Sequence, residues 1–316
     1  MDKVKMTDMI GVIMDEKIVA QLWKEHFGDE PEHVKRCAVG QANYVYIVEC
    51  KQQRFTIRCS TKKGAYNQTI YWLERLSNIH VPVPDVIAHG EYQGYSYLIL
   101  SYLVGRDLGF VYPQLTKEQK RTIAKEIVEI QNRVATLQLE NVDADWSWGS
   151  FIQYMLQRAK ERITANGYFD PEKVEQLKEQ AMKLTRYFSD VQPIAYLDDI
   201  SSKNLLIQNG QISGIIDIDW MGIGDRLTFV AMTNVALLNM ECDTDYVDFI
   251  LEEMQVNEME KQAFLFYSLL YCVDFMGERG MQFMDKMIEV NDTVISRLNG
   301  IYERLWNEFT KNTNYL

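Results

Sequence analysis

Four oxygen-bearing side chains flank one short hairpin in this sequence, and together they could hold a divalent cation against phosphate. Asp199 and Asn204 lie before the hairpin, in Leu197-Asp198-Asp199-Ile200-Ser201-Ser202-Lys203-Asn204, and Asp217 and Asp219 lie after it, in Asp217-Ile218-Asp219-Trp220. Between them Leu205–Gln208 and Gln211–Ile216 read as strands around Asn209-Gly210, the pair that suits a tight turn needing positive φ at both central residues. Antiparallel pairing returns Asp217 to the side of Asn204, so Asp199, Asn204 and Asp217 converge at the open end of the ribbon with Asp219 close by. Clustered carboxylates repel unless something positive sits between them. An amide with one or two carboxylates suits Mg2+, which keeps waters and phosphate oxygens as its other ligands.

The pattern D-x-x-x-x-N, hairpin, Asp is similar to the catalytic core of the protein-kinase-like fold. The version here most resembles the aminoglycoside phosphotransferase and choline kinase group, with its H-G-D-x-x-x-x-N, hairpin, I-D-W/F-x-x-x-G-x-G-D. This chain reads LDDISSKN, LLIQNGQISGI and IDIDWMGIGD, with Asp217 and Asp225 eight apart as in that group. The resemblance implies an α+β, two-lobe fold with a small β-rich N-lobe (1–102) and a larger, mainly helical C-lobe (103–316). It implies a kinase that moves the γ-phosphate of ATP or GTP to a hydroxyl of a small molecule, with Mg2+. Asp199 would orient the hydroxyl or accept its proton, Asn204 and Asp217 would hold the metal, Asp219 would support it through water, and Asp225 would brace the loop. In the N-lobe, Gly40 and Asn43 match a G-x-x-N-x-x-Y turn over the phosphates, and Arg58 stands where kinases carry a lysine. Ser101 to Val104, with Ser101 and Leu103 foremost, fall where the linker offers backbone groups to adenine. The chain departs from the group in four places. Leu197 replaces the His, Asp198 the Gly, Thr69 stands where the helix Glu is expected, and Phe229 where an acid follows the G-D-P of many relatives.

The elements that must position these residues are legible in outline. Val45–Val48 and Phe55–Ile57 form a hairpin around Lys51-Gln52-Gln53. A helix follows over about 66–76, Val81-Pro82-Val83-Pro84 forces extended backbone, and Tyr95–Tyr102 is a strand. Thr116 with Gln119 reads as a capping box before a helix to about 137, and Asp170-Pro171 as a helix start with a capping acid. Further helices fit 228–240, 244–255, 258–275 and 282–309. The hairpin at 205–216 then stands alone in a helical lobe.

Composition narrows the partners. Hydrophobic residues make up 47% and charged residues 25%, so the chain is globular and not disordered. The formal net charge of −12 falls entirely in residues 191–316, with 20 acids and 8 Lys or Arg, while residues 1–190 balance at 25 each. No basic face is available to a nucleic acid. Five cysteines without a C-x-x-C pair suit a reducing cytoplasm. The start lacks a signal-peptide core, and the most apolar run, Ala263–Val273, is too short to span a membrane. It reads as a helix buried on all sides. The acids Glu241, Asp243, Asp245 and Asp248, with Trp146, Trp148, Tyr154, Trp220, Phe229, Tyr246, Phe264, Tyr267 and Tyr271, suit a cationic acceptor, an aminoglycoside or a quaternary amine, although most of these aromatics are expected to pack in the core. Macrolide, sugar and homoserine kinases share the architecture, and a nucleotide-binding pseudokinase stays open. A monomer or weak dimer is expected.

Overall fold

The computed structural model describes residues 14–37, 44–140, 142–283 and 286–312. Its packing divides the described chain into two compact units, one of residues up to 70 with 85–102, the other of 71–84 with 103 onward.

In the first unit, α1 (Glu16–Phe27) starts at Asp15, whose carboxylate accepts the Ile18 amide, and stops at Gly28 in the left-handed region. Then come β1 (His33–Arg36), β2 (Tyr44–Cys50) and β3 (Gln53–Ser60). The β2–β3 hairpin turns at Lys51 and Gln52, both at positive φ. Helix α2 (Asn67–Asn78) leads to β4 (Val86–Tyr92) and β5 (Tyr95–Ser101). The five strands form one antiparallel sheet in the order β1-β2-β3-β5-β4. Alternation of side chains across the pleat sends Tyr46, Val48, Ile57 and Ile99 to one face, where they share a core with Val19, Leu22 and Trp23 of α1. The sequence reading did not anticipate α1, β1 or β4.

In the second unit, β6 (Arg106–Asp107) runs into the short α3 (Leu108–Val111) and then α4 (Lys117–Val134). Thr116 and Gln119 form the expected capping box. Then follow α5 (Trp148–Asn166), α6 (Glu172–Lys183), α7 (Thr185–Asp190), β7 (Ala195–Tyr196), β8 (Leu205–Gln208), β9 (Gln211–Ile215), β10 (Gly222–Ile223), α8 (Leu227–Asn239), α9 (Asp245–Glu253) and α10 (Glu258–Glu278). A short pair, β11 (Gln282–Phe283) and β12 (Lys286–Met287), precedes α11 (Asp292–Asn312). As expected, α10 is buried around its circumference, packed against α5, α8 and α11. No described helix is long and apolar enough to cross a membrane.

Three expectations need correction. The 205–216 hairpin is not alone: β6 adds a third strand beside β8, and β7 pairs with β10. The last helix begins at 292, not 282, because Asn291 caps it by accepting the Val294 amide at 2.9 Å and the residues before it pair as strands. Pro171 precedes α6 and does not open it; Asp170 caps the turn by accepting the Glu172 amide at 2.9 Å.

Candidate active site

Residues 197–204 form a loop held at several points. Leu197 is buried, and Gln131 of α4 grips it by both backbone groups: Gln131 Nε2 donates to Leu197 O at 2.8 Å, and Leu197 N donates to Gln131 Oε1 at 2.9 Å. At the far end, Gly109 N of α3 donates to Ser202 O at 2.7 Å, an approach that leaves no room for a side chain at 109. Within the loop, Asn204 Nδ2 donates to Asp199 O at 2.8 Å, and Ser201 Oγ donates to Asp199 Oδ1 at 3.4 Å. The β8–β9 ribbon then turns at Asn209 and Gly210, both at positive φ, and returns with Ile216 N donating to Asn204 O at 2.9 Å. The ribbon carries a bulge at Ser213, and α4 supports it through Glu126 Oε2, which accepts Ile212 N at 2.8 Å.

Asp199, Asn204 and the residue before Asp217 are thus joined by backbone and amide bonds at the open end of the ribbon. Asp217 is exposed and sits in the left-handed region at φ 62, a conformation that Asp tolerates better than most residues. Ile218 is buried beneath it, and Asp219 is half-buried. Among the described residues no three His, Cys, Asp or Glu side chains cluster closely enough to hold a metal by themselves. The donor set is one amide and two carboxylates.

The two adjacent acids differ in environment. Asp199 is exposed as a residue, yet the protein around its carboxyl raises its pKa, with Ser201, Lys203 and Asn204 pulling back. Asp198 points inward. Its Oδ1 is buried without a hydrogen-bond partner, and burial, followed by the Asp199 charge, pushes its pKa up to about 6, against the pull of Tyr196 and Arg158. The structure therefore separates two acids that the sequence places side by side.

Asp225 and the two glycines before it pin the return path. Asp225 Oδ2 accepts from Tyr187 at 2.6 Å and Tyr267 at 3.0 Å, and Oδ1 accepts the Leu227 amide at the start of α8. Burial raises its pKa, and those donors hold it back. A Cβ on Gly222 would stand 2.1 Å from the Tyr196 ring, and one on Gly224, at φ +133, 2.3 Å from Trp148. The G-x-G spacing exists because two aromatic faces lie flat on this backbone. The sequence reading named Asp225 but missed Tyr187, Tyr196 and Gln131. A signal for Gln131 was present: it occupies the apolar stripe of α4 with Ala124, Ile127 and Val134, where a polar side chain must find partners.

In the first unit, Arg58 lies on β3 between Val45 of β2 and Leu98 of β5, is 7% exposed, and holds its guanidinium 5.4 Å from the Tyr66 ring centre. Thr69 is buried on α2. Ser101 ends β5; its amide donates to Asp85 O at 3.0 Å and its hydroxyl accepts the Asp85 amide at 2.8 Å. Leu103 belongs to the second unit and packs over Gly214. Gly40 and Asn43 lie outside the described residues.

In the acidic and aromatic region, Asp243 and Asp245 are paired, and most of the aromatics pack in the core as expected. Asp243 binds Lys120 of α4 at 2.7 and 2.8 Å, and Asp245 lies 3.7 Å from Lys117. These two acids join α4 to the start of α9 and the residues just before it, and each has a cation beside it. Trp148, Phe229, Tyr246, Phe264, Tyr267 and Tyr271 are core. Trp220 (80% exposed), Tyr154 (60% exposed) and half-buried Trp146 are the members left accessible.

A five-stranded antiparallel sheet followed by a mainly helical region, with a D-x-x-x-x-N loop, hairpin and Asp, is a kinase-like architecture. The chain belongs to the phosphotransferase enzyme family, whose model matches residues 33–238. It is similar to a thermostable mutant of aminoglycoside phosphotransferase APH(4)-Ia in ternary complex with AMP-PNP and hygromycin B, at 16% identity, covering 91% of this chain and 97% of that one with a TM-score of 0.66. It is similar to ADP-bound APH(2'')-Ib at 15% identity, covering 94% and 99% with a TM-score of 0.64. A putative fructosamine-3-kinase from Haemophilus somnus follows at 17% identity, 92% and 97% coverage and a TM-score of 0.61. An uncharacterized protein in the ileS 3' region of Staphylococcus aureus is 23% identical over 115 residues, 36% of this chain and 82% of that protein.

Proposed function

We propose that this chain is a small-molecule kinase that transfers the γ-phosphoryl group of ATP or GTP to a substrate hydroxyl, as an aminoglycoside-phosphotransferase-like enzyme. The observation that carries this reading is the bonded end of the hairpin, where Asn204 ties to Asp199 O and Ile216 ties to Asn204 O. The transition state of phosphoryl transfer is loose, so the protein contributes mainly position and charge neutralisation. Asp199 sets the hydroxyl in line and takes its proton as the new P–O bond forms. Burial raises its pKa, which makes it a stronger proton acceptor than an ordinary carboxylate.

The residues fit Mg2+. The Asn204 amide nitrogen is committed to Asp199 O, which leaves the amide oxygen for a cation, and Asp217 is exposed beside it. Asn204 and Asp217 would hold the ion, with Asp219 in support, and bound Mg2+ supplies charge neutralisation on the phosphates. Arg58 would supply the cation of the nucleotide-binding sheet, and Ser101 to Val104 the backbone groups for the base.

A metabolite kinase is the second reading, and the neutralised acids at 243 and 245 favour it over a site built for a polycation. A nucleotide-consumption assay against aminoglycosides, macrolides, sugars and choline, with ATP and GTP and with and without Mg2+, tests both. Transfer to one acceptor that needs the metal supports the kinase. Nucleotide binding by thermal shift with no transfer to any acceptor would leave a pseudokinase.

A further inference from the structure

The loop that carries Asp199 opens on Leu197, a residue with no polar side chain to fix it. The backbone is fixed from outside instead. Gln131 is 1% exposed, projects from α4, and bonds to both the N–H and the C=O of Leu197. One amide thereby closes a two-bond ring on a single residue, as a neighbouring strand would. Beyond that residue the two acids face differently: the Asp198 carboxyl turns inward with Oδ1 buried, Asp199 is exposed, and Ile200 is buried. A shift of the loop backbone at Leu197 would change which of the two acids faces outward.

We propose that Gln131 is the positioning residue of the loop: its side-chain amide locks Leu197 in the register that presents Asp199, and not Asp198, to the acceptor. The proposal rests on the kinase reading above. Nothing else on α4 bonds to the 197–199 backbone among the described residues, whereas α4 supports the ribbon separately through Glu126. Without the amide, two backbone groups at a buried position lose their partners, and the backbone ties that remain on either side are those of Tyr196, which pairs with Gly222, and Asp198, whose carbonyl accepts the Ile200 amide.

The test compares Gln131→Met, Gln131→Glu and Gln262→Met with the wild-type chain, using the acceptor found above. Gln262 is a second buried glutamine bonded to a backbone carbonyl, that of Phe309 at 3.0 Å, and it controls for lost stability alone. Gln131→Met is expected to lower kcat about 10²-fold, the cost of a misplacement near 1 Å, with the nucleotide KM unchanged. Gln131→Glu keeps the acceptor for Leu197 N and recovers part of the loss. Gln262→Met leaves kcat near wild type. Asp199→Asn abolishes transfer, while Asp198→Asn keeps most of it. A Gln131→Met enzyme with near wild-type kcat, an equal loss in Gln262→Met, or an equal loss in Asp198→Asn and Asp199→Asn overturns the proposal. If the wild-type chain transfers to no acceptor, the kinase reading fails first. The lock is then read by amide hydrogen exchange, where faster exchange confined to 195–200 in Gln131→Met supports it and unchanged exchange there removes it.

Discussion

Replacing Asp198 by asparagine should make the protein more stable at neutral pH and leave it unchanged in acid. Asp198 Oδ1 is buried with no partner, and the Asp199 charge lies next to it. The folded pKa is about 6 against an ordinary 3.8. A raised folded pKa means that the native state holds the proton more tightly than the unfolded chain. The sign follows: the carboxyl costs nothing below pH 3.8, and stability is lost as pH rises through 6. At about 1.36 kcal/mol per pKa unit, the charged form costs about 3 kcal/mol at pH 7. Asparagine has the same shape without the charge and should recover up to that amount, or about 5 °C in melting temperature for a chain of this length. Thermal unfolding of both proteins from pH 4 to pH 8 measures it. The two curves should meet near pH 4 and separate progressively up to about pH 6. A constant offset across the range, or a variant less stable at pH 7, would refute the reading of Asp198 as a carboxyl whose charge is disfavoured by burial.

Asp199→Ala should lower phosphoryl transfer roughly 10²–10⁴-fold and leave nucleotide binding by thermal shift close to normal; Asp217→Ala should abolish the Mg2+-dependent part of that shift. Gly222→Ala forces a methyl into the Tyr196 ring and should cost about 1–3 kcal/mol, read as a lower denaturation midpoint. Asp243→Ala strands Lys120, whose side chain is 7% exposed, and should cost about 1–3 kcal/mol. Burial works against the Asp243 charge, but the Lys120 bonds prevail and its pKa is lowered, so this contribution holds above about pH 4 and fades as pH falls further. An Asp243→Ala penalty that stays constant down to pH 2 would contradict the ion pair.

What the sequence disclosed depended on how local the physics was. The Asn209-Gly210 hairpin, the Thr116 capping box and the all-buried helix around Ala263–Val273 are each written in a few neighbouring residues, and each stands as expected. The return of 217 to the side of 204 follows from strand pairing, whereas Asp199 is held there by the Asn204 side chain. Long-range partners were out of reach. No spacing rule tells that Asp243 meets Lys120 across 123 residues, or that the Asp225 carboxylate would collect hydroxyls from Tyr187 and Tyr267. Acids close in sequence looked like one negative surface, and which of the aromatics would stay accessible was not legible, because composition does not distinguish a packed face from an open one. The stretch 282–291 has helical composition, yet Asn291 caps the helix only after it, and the residues before pair as strands.

Removing the buried aromatics and the neutralised acids changes what an acceptor can meet. Trp220 follows Asp219 directly and is 80% exposed, an unusual cost for the largest side chain unless something covers it. It stands on the chain between buried Ile218 and Gly222, which pairs with Tyr196, and its ring is exposed. Trp220→Ala should therefore raise the acceptor KM about tenfold or more, equivalent to a stacking contact of about 1–2 kcal/mol, with the nucleotide KM unchanged. Steady-state kinetics with each substrate varied in turn decides it. An equal change in both KM values would mean that Trp220 supports the fold of the loop. No change in either would place the acceptor elsewhere in the helical unit, with Tyr154 as the next exposed ring to test.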